Sequence, residues 1–237
     1  MRAALALGIV RAIMATPPTS RPPASRAGAN ALGQQLQAAF GLHAQGRTAE
    51  AEAAAKRILK IAPKEPNALY LLGIIAHQAG DAKTAAQHFE KSYKADRNSV
   101  AALSGLGIVR LDQQRHGEAK GLFEKALKLQ PGDPMLLNNL GLAQKGAGDL
   151  ERACRSFEAA FKARPDFAAA ALNLGETLGA LGRPEAAERV YRSGLARDPG
   201  SPELNNAVAA LLADRSDIDG ALEVIERASA DPRGRAD

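Results

Sequence analysis

The chain has 237 residues, 46% of them hydrophobic and only 4% aromatic, with no Trp and a single Cys. An apolar mass made mainly of Ala and Leu favours closely packed helices over a sheet sandwich, and one cysteine excludes an intrachain disulfide or a Cys-based metal site. The net charge of +5 sits at the start, because residues 1–31 carry four Arg and no acid while the remainder holds 27 basic and 26 acidic residues, a balance that argues against nucleic acid as a partner.

Residues 1–31 read differently from the rest. Residues 3–10 form a short apolar run behind Met1-Arg2, as in the apolar region of a signal peptide. Arg11 interrupts it, and no small-x-small cleavage site follows. Residues 16–26 are rich in Pro and Ser and read as an extended, disordered stretch. Met14 offers a second start. The segment is read as a disordered tail or a misassigned start, with a cytoplasmic location. An exported, periplasmic protein follows only if residues 1–15 act as a signal. No run reaches the roughly 18 apolar residues of a spanning helix, so no integral membrane segment is expected.

From Leu32 the chain repeats itself. Ala51, Ala85, Ala119, Ala153, Ala187 and Ala221 are spaced 34 residues apart. So are Gly73, Gly107, Gly141 and Gly175, each preceded by Leu. Phe89, Phe123, Phe157 and Tyr191 form a further column, and Pro131, Pro165 and Pro199 another. The register divides the chain into six units: 32–65, 66–99, 100–133, 134–167, 168–201 and 202–235. Each unit reads as two helices, at 67–79 and 82–95 in the second. Gly46, Gly80, Gly148 and Gly182 stand between the two, where a left-handed residue ends a helix. The mid-helix Gly column implies close backbone approach of paired helices, with the Ala column as its small counterpart. The aromatic column is expected between neighbouring units.

The unit Leu69-x-x-Leu72-Gly73…Ala85-x-x-x-Phe89 resembles the tetratricopeptide-repeat (TPR) signature, and the resemblance covers about residues 32–235. The end units depart from it: Ala39 and Ala55 replace Gly and the aromatic in the first, and Ser216 replaces the turn Gly in the last. The resemblance implies an all-α fold, a TPR α-solenoid wound as a right-handed superhelix, whose first helices line a concave groove for a protein or peptide partner. It is similar to the TPR segments that precede transferase domains and to TPR proteins of pilus assembly. The alternatives to a scaffold are therefore the recognition arm of a transferase whose catalytic domain lies elsewhere, or an assembly component of a secretion or pilus system.

No phosphate-binding loop, zinc-protease motif or nucleophile elbow occurs, so neither an enzyme nor a cofactor is expected. His43, His77, His88 and His116 lie in separate units without ligand spacing, and Cys154 reads as a small packing residue. The candidate partner-binding residues are those the repeat turns inward: Tyr70, Leu71, Ile74, His77, Ile108, Asn138, Asn139, Leu142, Asn173 and Glu176. Asn139 and Asn173, one period apart, are expected to stack as a ladder offering donors and acceptors to a bound main chain. Tyr70, Leu71, Ile74 and Ile108 make the N-terminal half of this surface apolar. Lys145 alone stands where a carboxylate clamp for chaperone tails needs several cations, which disfavours that ligand.

Overall fold

The computed structural model describes the backbone of residues 26–230 and the side-chain surroundings of residues 31–226. The reading of residues 1–25, including the choice between Met1 and Met14, lies outside the described residues. Within them the chain is all helix: α1 Arg26–Ala44, α2 Thr48–Ile61, α3 Pro66–Gln78, α4 Ala82–Ala95, α5 Val100–Asp112, α6 His116–Leu129, α7 Pro134–Gly146, α8 Leu150–Ala163, α9 Ala168–Ala180, α10 Pro184–Leu195, α11 Pro202–Asp214 and α12 Ile218–Ala230. The odd-numbered helices are the first of each pair and the even-numbered the second. Residues 26–31, assigned by the sequence to the N-terminal segment, belong instead to α1. The last proline before it is Pro23, so nothing there blocks a helix.

Local chemistry sets the helix ends. Asp81 accepts from the Thr84 amide at 2.9 Å and Asp133 from the Leu136 amide at 2.9 Å, each satisfying an orphan N–H of a first turn. Pro66, Pro134, Pro184 and Pro202 occupy the opening turns of their helices, where no N–H is missed. Each pair is joined by a left-handed residue, at Gly46, Gly80, Gly148 and Gly182. In the third and last units Gln114 (φ 58°) and Ser216 (φ 62°) hold the same place, 34 residues on from Gly80 and Gly182. The turn survives without Gly, at a conformational cost.

The chain divides into two compact blocks, residues up to Gln113 and residues from Gln114. In the first, Ala39, Ala51, Ala55, Ile58, Ala68, Leu71, Leu72 and Ile75 form one core. In the second, Phe157, Leu174, Ala187, Tyr191, Leu204, Val208 and Leu212 are among the residues of another. The six column alanines are 0–7% exposed.

The Gly column works differently from expectation. A Cβ at Gly73 would lie 2.6 Å from the Phe89 ring, and one at Gly141 would lie 2.5 Å from Phe157. Gly175 faces Tyr191 in the same way. The column makes room for an aromatic ring from the paired helix rather than for its backbone. Phe89 also packs on Gly105 of the next first helix, where a Cβ would meet the ring at 2.8 Å. One ring therefore wedges between a helix pair and the pair that follows.

Candidate functional site

Successive first helices are linked by side chains about one period apart. In the first block, His43 Nε2 and Gln78 Oε1 are 2.8 Å apart, and His77 Nε2 and Asp112 Oδ2 are 2.6 Å apart. In the second, Asn173 Nδ2 donates to Asn138 Oδ1 at 2.9 Å, and Lys145 Nζ donates to Glu176 Oε2 at 2.7 Å. These bonds join α1 to α3, α3 to α5 and α7 to α9. They mark, within each block, the face that first helices share. A polar rung across two helices uses donors and acceptors that would otherwise face solvent, and it holds neighbouring helices in register.

The candidate residues divide by burial. His77 and Glu176 keep solvent access, with side chains 24% and 48% exposed, and Leu142 and Asn173 are half-buried. Leu142 and Leu172 pack on the second block's core while keeping part of their surface outside it. Glu176 also lies near the aromatic column: burial first, and then the Glu176 charge, push the Tyr191 phenol up to about 12.

Tyr70, Leu71, Ile74 and Ile108 are 0–5% exposed. The apolar half of the expected surface is therefore core. Tyr70 stacks against Phe89, with centroids 5.4 Å apart and the rings inclined at 46°, and burial raises its pKa well above that of a free phenol. Leu71 shares its core with Ala55, which stands where other units carry an aromatic ring. Both are 0% exposed.

The expected pairing of Asn139 with Asn173 does not form. Asn173 bonds Asn138 instead. Asn139 is 2% exposed, and its Oδ1 is buried without a protein hydrogen-bond partner. Just before the column Leu, Leu71, Gly105 and Asn139 are buried, whereas Asn173 is half-buried. The sequence reading also missed the rungs from His43 to Gln78 and from Lys145 to Glu176.

No group of three or more His, Cys, Asp or Glu side chains suited to a metal occurs among the described residues. Burial, and next the charges of Glu151 and Glu158, raise the pKa of Cys154, keeping it the neutral thiol rather than a nucleophilic thiolate. No described helix is long and apolar enough to cross a membrane.

Family models described as tetratricopeptide repeat match residues 76–140 and 144–211, and a second such model matches 36–100. The search of curated proteins gave no match. Among solved structures, PilF of Pseudomonas aeruginosa is similar with a TM-score of 0.73 at 20% identity, over 82% of this chain and 89% of that one. MamA of Desulfovibrio magneticus RS-1 has a TM-score of 0.64 at 21% identity, over 72% and 97% of the two chains. YrrB, described as a TPR protein with an unusual peptide-binding site, has a TM-score of 0.58 at 19% identity, over 74% and 90%.

Proposed function

The chain belongs to the tetratricopeptide-repeat family, and from that premise we propose that it is a non-catalytic scaffold that binds a protein partner, holding an extended or helical segment on its first-helix face. The observation that carries this reading is the composition of that face in the second block. Half-buried Leu142 and Leu172 lie beside the Asn138–Asn173 amide pair and the Lys145–Glu176 ion pair. Apolar surface for a partner side chain thus adjoins groups able to donate to and accept from a main chain. Asn173 spends one donor on the buried Asn138, leaving hydrogen-bonding capacity on the half-buried Asn173 amide.

The reading narrows the candidate residues to Leu142, Asn173 and Glu176, together with Lys145 and Leu172, since Asn138 is 5% exposed. A peptide-array screen of the full chain supplies ligands, and calorimetry then tests the face. Asn173→Ala and Leu142→Ala are expected to weaken peptide binding by about 1–2 kcal/mol each. Glu158→Ala, an exposed change on α8, should leave binding unaltered. Equal losses at all three positions, or a loss at Glu158 alone, would move the site off the first helices.

A further inference from the structure

We propose that the outer stripe of α2 and α4 is a docking surface for an anionic lipid bilayer, its cations holding phosphate headgroups while Ile61 enters the apolar layer. Burial fixes which way each helix faces. Ala51, Ala55 and Ile58 of α2, and Ala85, Phe89 and Ser92 of α4, are buried. Arg57 and Lys60 on α2, and Lys91 and Lys94 on α4, are exposed on the opposite side. The 34-residue register sets Lys91 level with Arg57 and Lys94 level with Lys60. Ile61, the last residue of α2, is 73% exposed, and Lys64 stands three residues beyond it.

The stripe is positive because the acids near it are already engaged. Glu50 pairs with Arg47 at 2.7 Å, Glu52 with Lys56 at 2.6 Å and Glu90 with Arg110 at 3.2 Å. Asp96 accepts from the Asn98 amide at 2.9 Å. Arg57, Lys60, Lys64, Lys91 and Lys94 are in no ion pair among the described residues. Residues 56–64 hold four cations and no acid. Lys60 and Lys94 lie in the last turns of their helices, where the helix dipole favours a cation. The dipole does not account for Arg57 and Lys91, one turn further in, or for Lys64 beyond the helix end. Burial, and next the charges of Lys91 and Lys56, lower the pKa of His88 on α4, so cations of both helices bear on one place.

The chemistry of the stripe selects the ligand. Lys and Arg donate and do not accept, which suits phosphate oxygens and leaves the N–H groups of a peptide main chain without acceptors. Ile61 separates a bilayer from a nucleic acid. Against a phosphate backbone it stays in water, whereas at a membrane surface it leaves water for the acyl boundary while Lys60 and Lys64 on either side reach the headgroups. A few cations and one aliphatic side chain give reversible attachment that depends on anionic lipid and on salt. The stripe belongs to second helices, so it leaves the first-helix face of the same block uncovered.

Vesicle co-sedimentation of the full chain tests this. The protein should pellet with vesicles of phosphatidylcholine and phosphatidylglycerol in equal parts, stay in solution with phosphatidylcholine alone, and be released by high salt. Lys60→Ala, Lys91→Ala and Lys94→Ala should each weaken vesicle binding about fivefold. Arg189→Ala, the same loss of charge at an exposed position of α10, should leave it nearly unchanged. The chain has no Trp, so Ile61→Trp supplies one reporter. Its emission should move to shorter wavelength on the mixed vesicles and not on phosphatidylcholine alone. No binding to the mixed vesicles, equal losses for Arg189→Ala and the stripe variants, or an unmoved Trp emission in the bound protein would overturn the proposal. Capture of a DNA duplex or an acidic peptide by the stripe without vesicle binding would assign the cations to another partner and overturn it too.

Discussion

Single side chains in this protein are decided by what stands opposite them one helix away. Gly141 and Gly121 illustrate the point. Both are helical, but a Cβ at Gly141 would collide with Phe157, while one at Gly121 meets nothing within 4 Å. Gly141→Ala should cost about 1–3 kcal/mol by overpacking. Gly121→Ala should gain about 0.5–1 kcal/mol from helix propensity. Urea unfolding of the two variants checks both signs, and a stabilised Gly141→Ala would remove the ring-clearance account of the column. Asn139 makes the same point about burial. At 2% exposure its side chain belongs to the interior, so Asn139→Ala should leave peptide affinity unchanged, and the packing it loses is offset by removal of the buried, unpartnered Oδ1, leaving stability within about 1 kcal/mol of wild type. The repeat register placed Asn139 and Leu71 on the binding face because it assigns one role to each column. The residue opposite changes from unit to unit, and only a contact such as that of Phe89 with Gly105 reveals that a given member of the column faces inward.

At the scale of the helix, periodicity and end signals were enough. The second unit was predicted at 67–79 and 82–95, and its helices run over Pro66–Gln78 and Ala82–Ala95. Caps, prolines and turn glycines act within a few residues, so they are legible locally. The rungs between first helices were not legible, because a bond such as that between His77 and Asp112 depends on the offset of two helices that no local signal records. The turns supply a further test. Gln114 and Ser216 adopt a left-handed conformation that glycine holds at the four other turns. Gln114→Gly and Ser216→Gly should each stabilise the protein by about 1 kcal/mol, since a side chain there costs roughly 1–2 kcal/mol. Thermal melting reads this directly, and a lower melting temperature for both variants would mean that their side chains make contacts worth more than the strain.

At the scale of the whole molecule, stability is a sum of neighbouring contacts. Apart from the 19-residue α1, each described helix has 12–14 residues and would be marginal alone in water. It persists because its apolar stripe is covered by the helices before and after it. The cores of the two blocks share no residue. Such a chain has no single long-range contact whose loss unfolds everything, so damage should spread by neighbours and fade with distance. Phe157→Ala is the sharpest probe. Its ring is 0% exposed and fills the space against Gly141, so its removal should cost about 3–5 kcal/mol. Hydrogen exchange followed by mass spectrometry should then show faster exchange in α7 to α10, with α1 to α4 still protected as in the wild type. Uniform loss of protection from α1 to α12 would mean that the helices unfold as one cooperative unit, and the nearest-neighbour account of this solenoid would have to be given up.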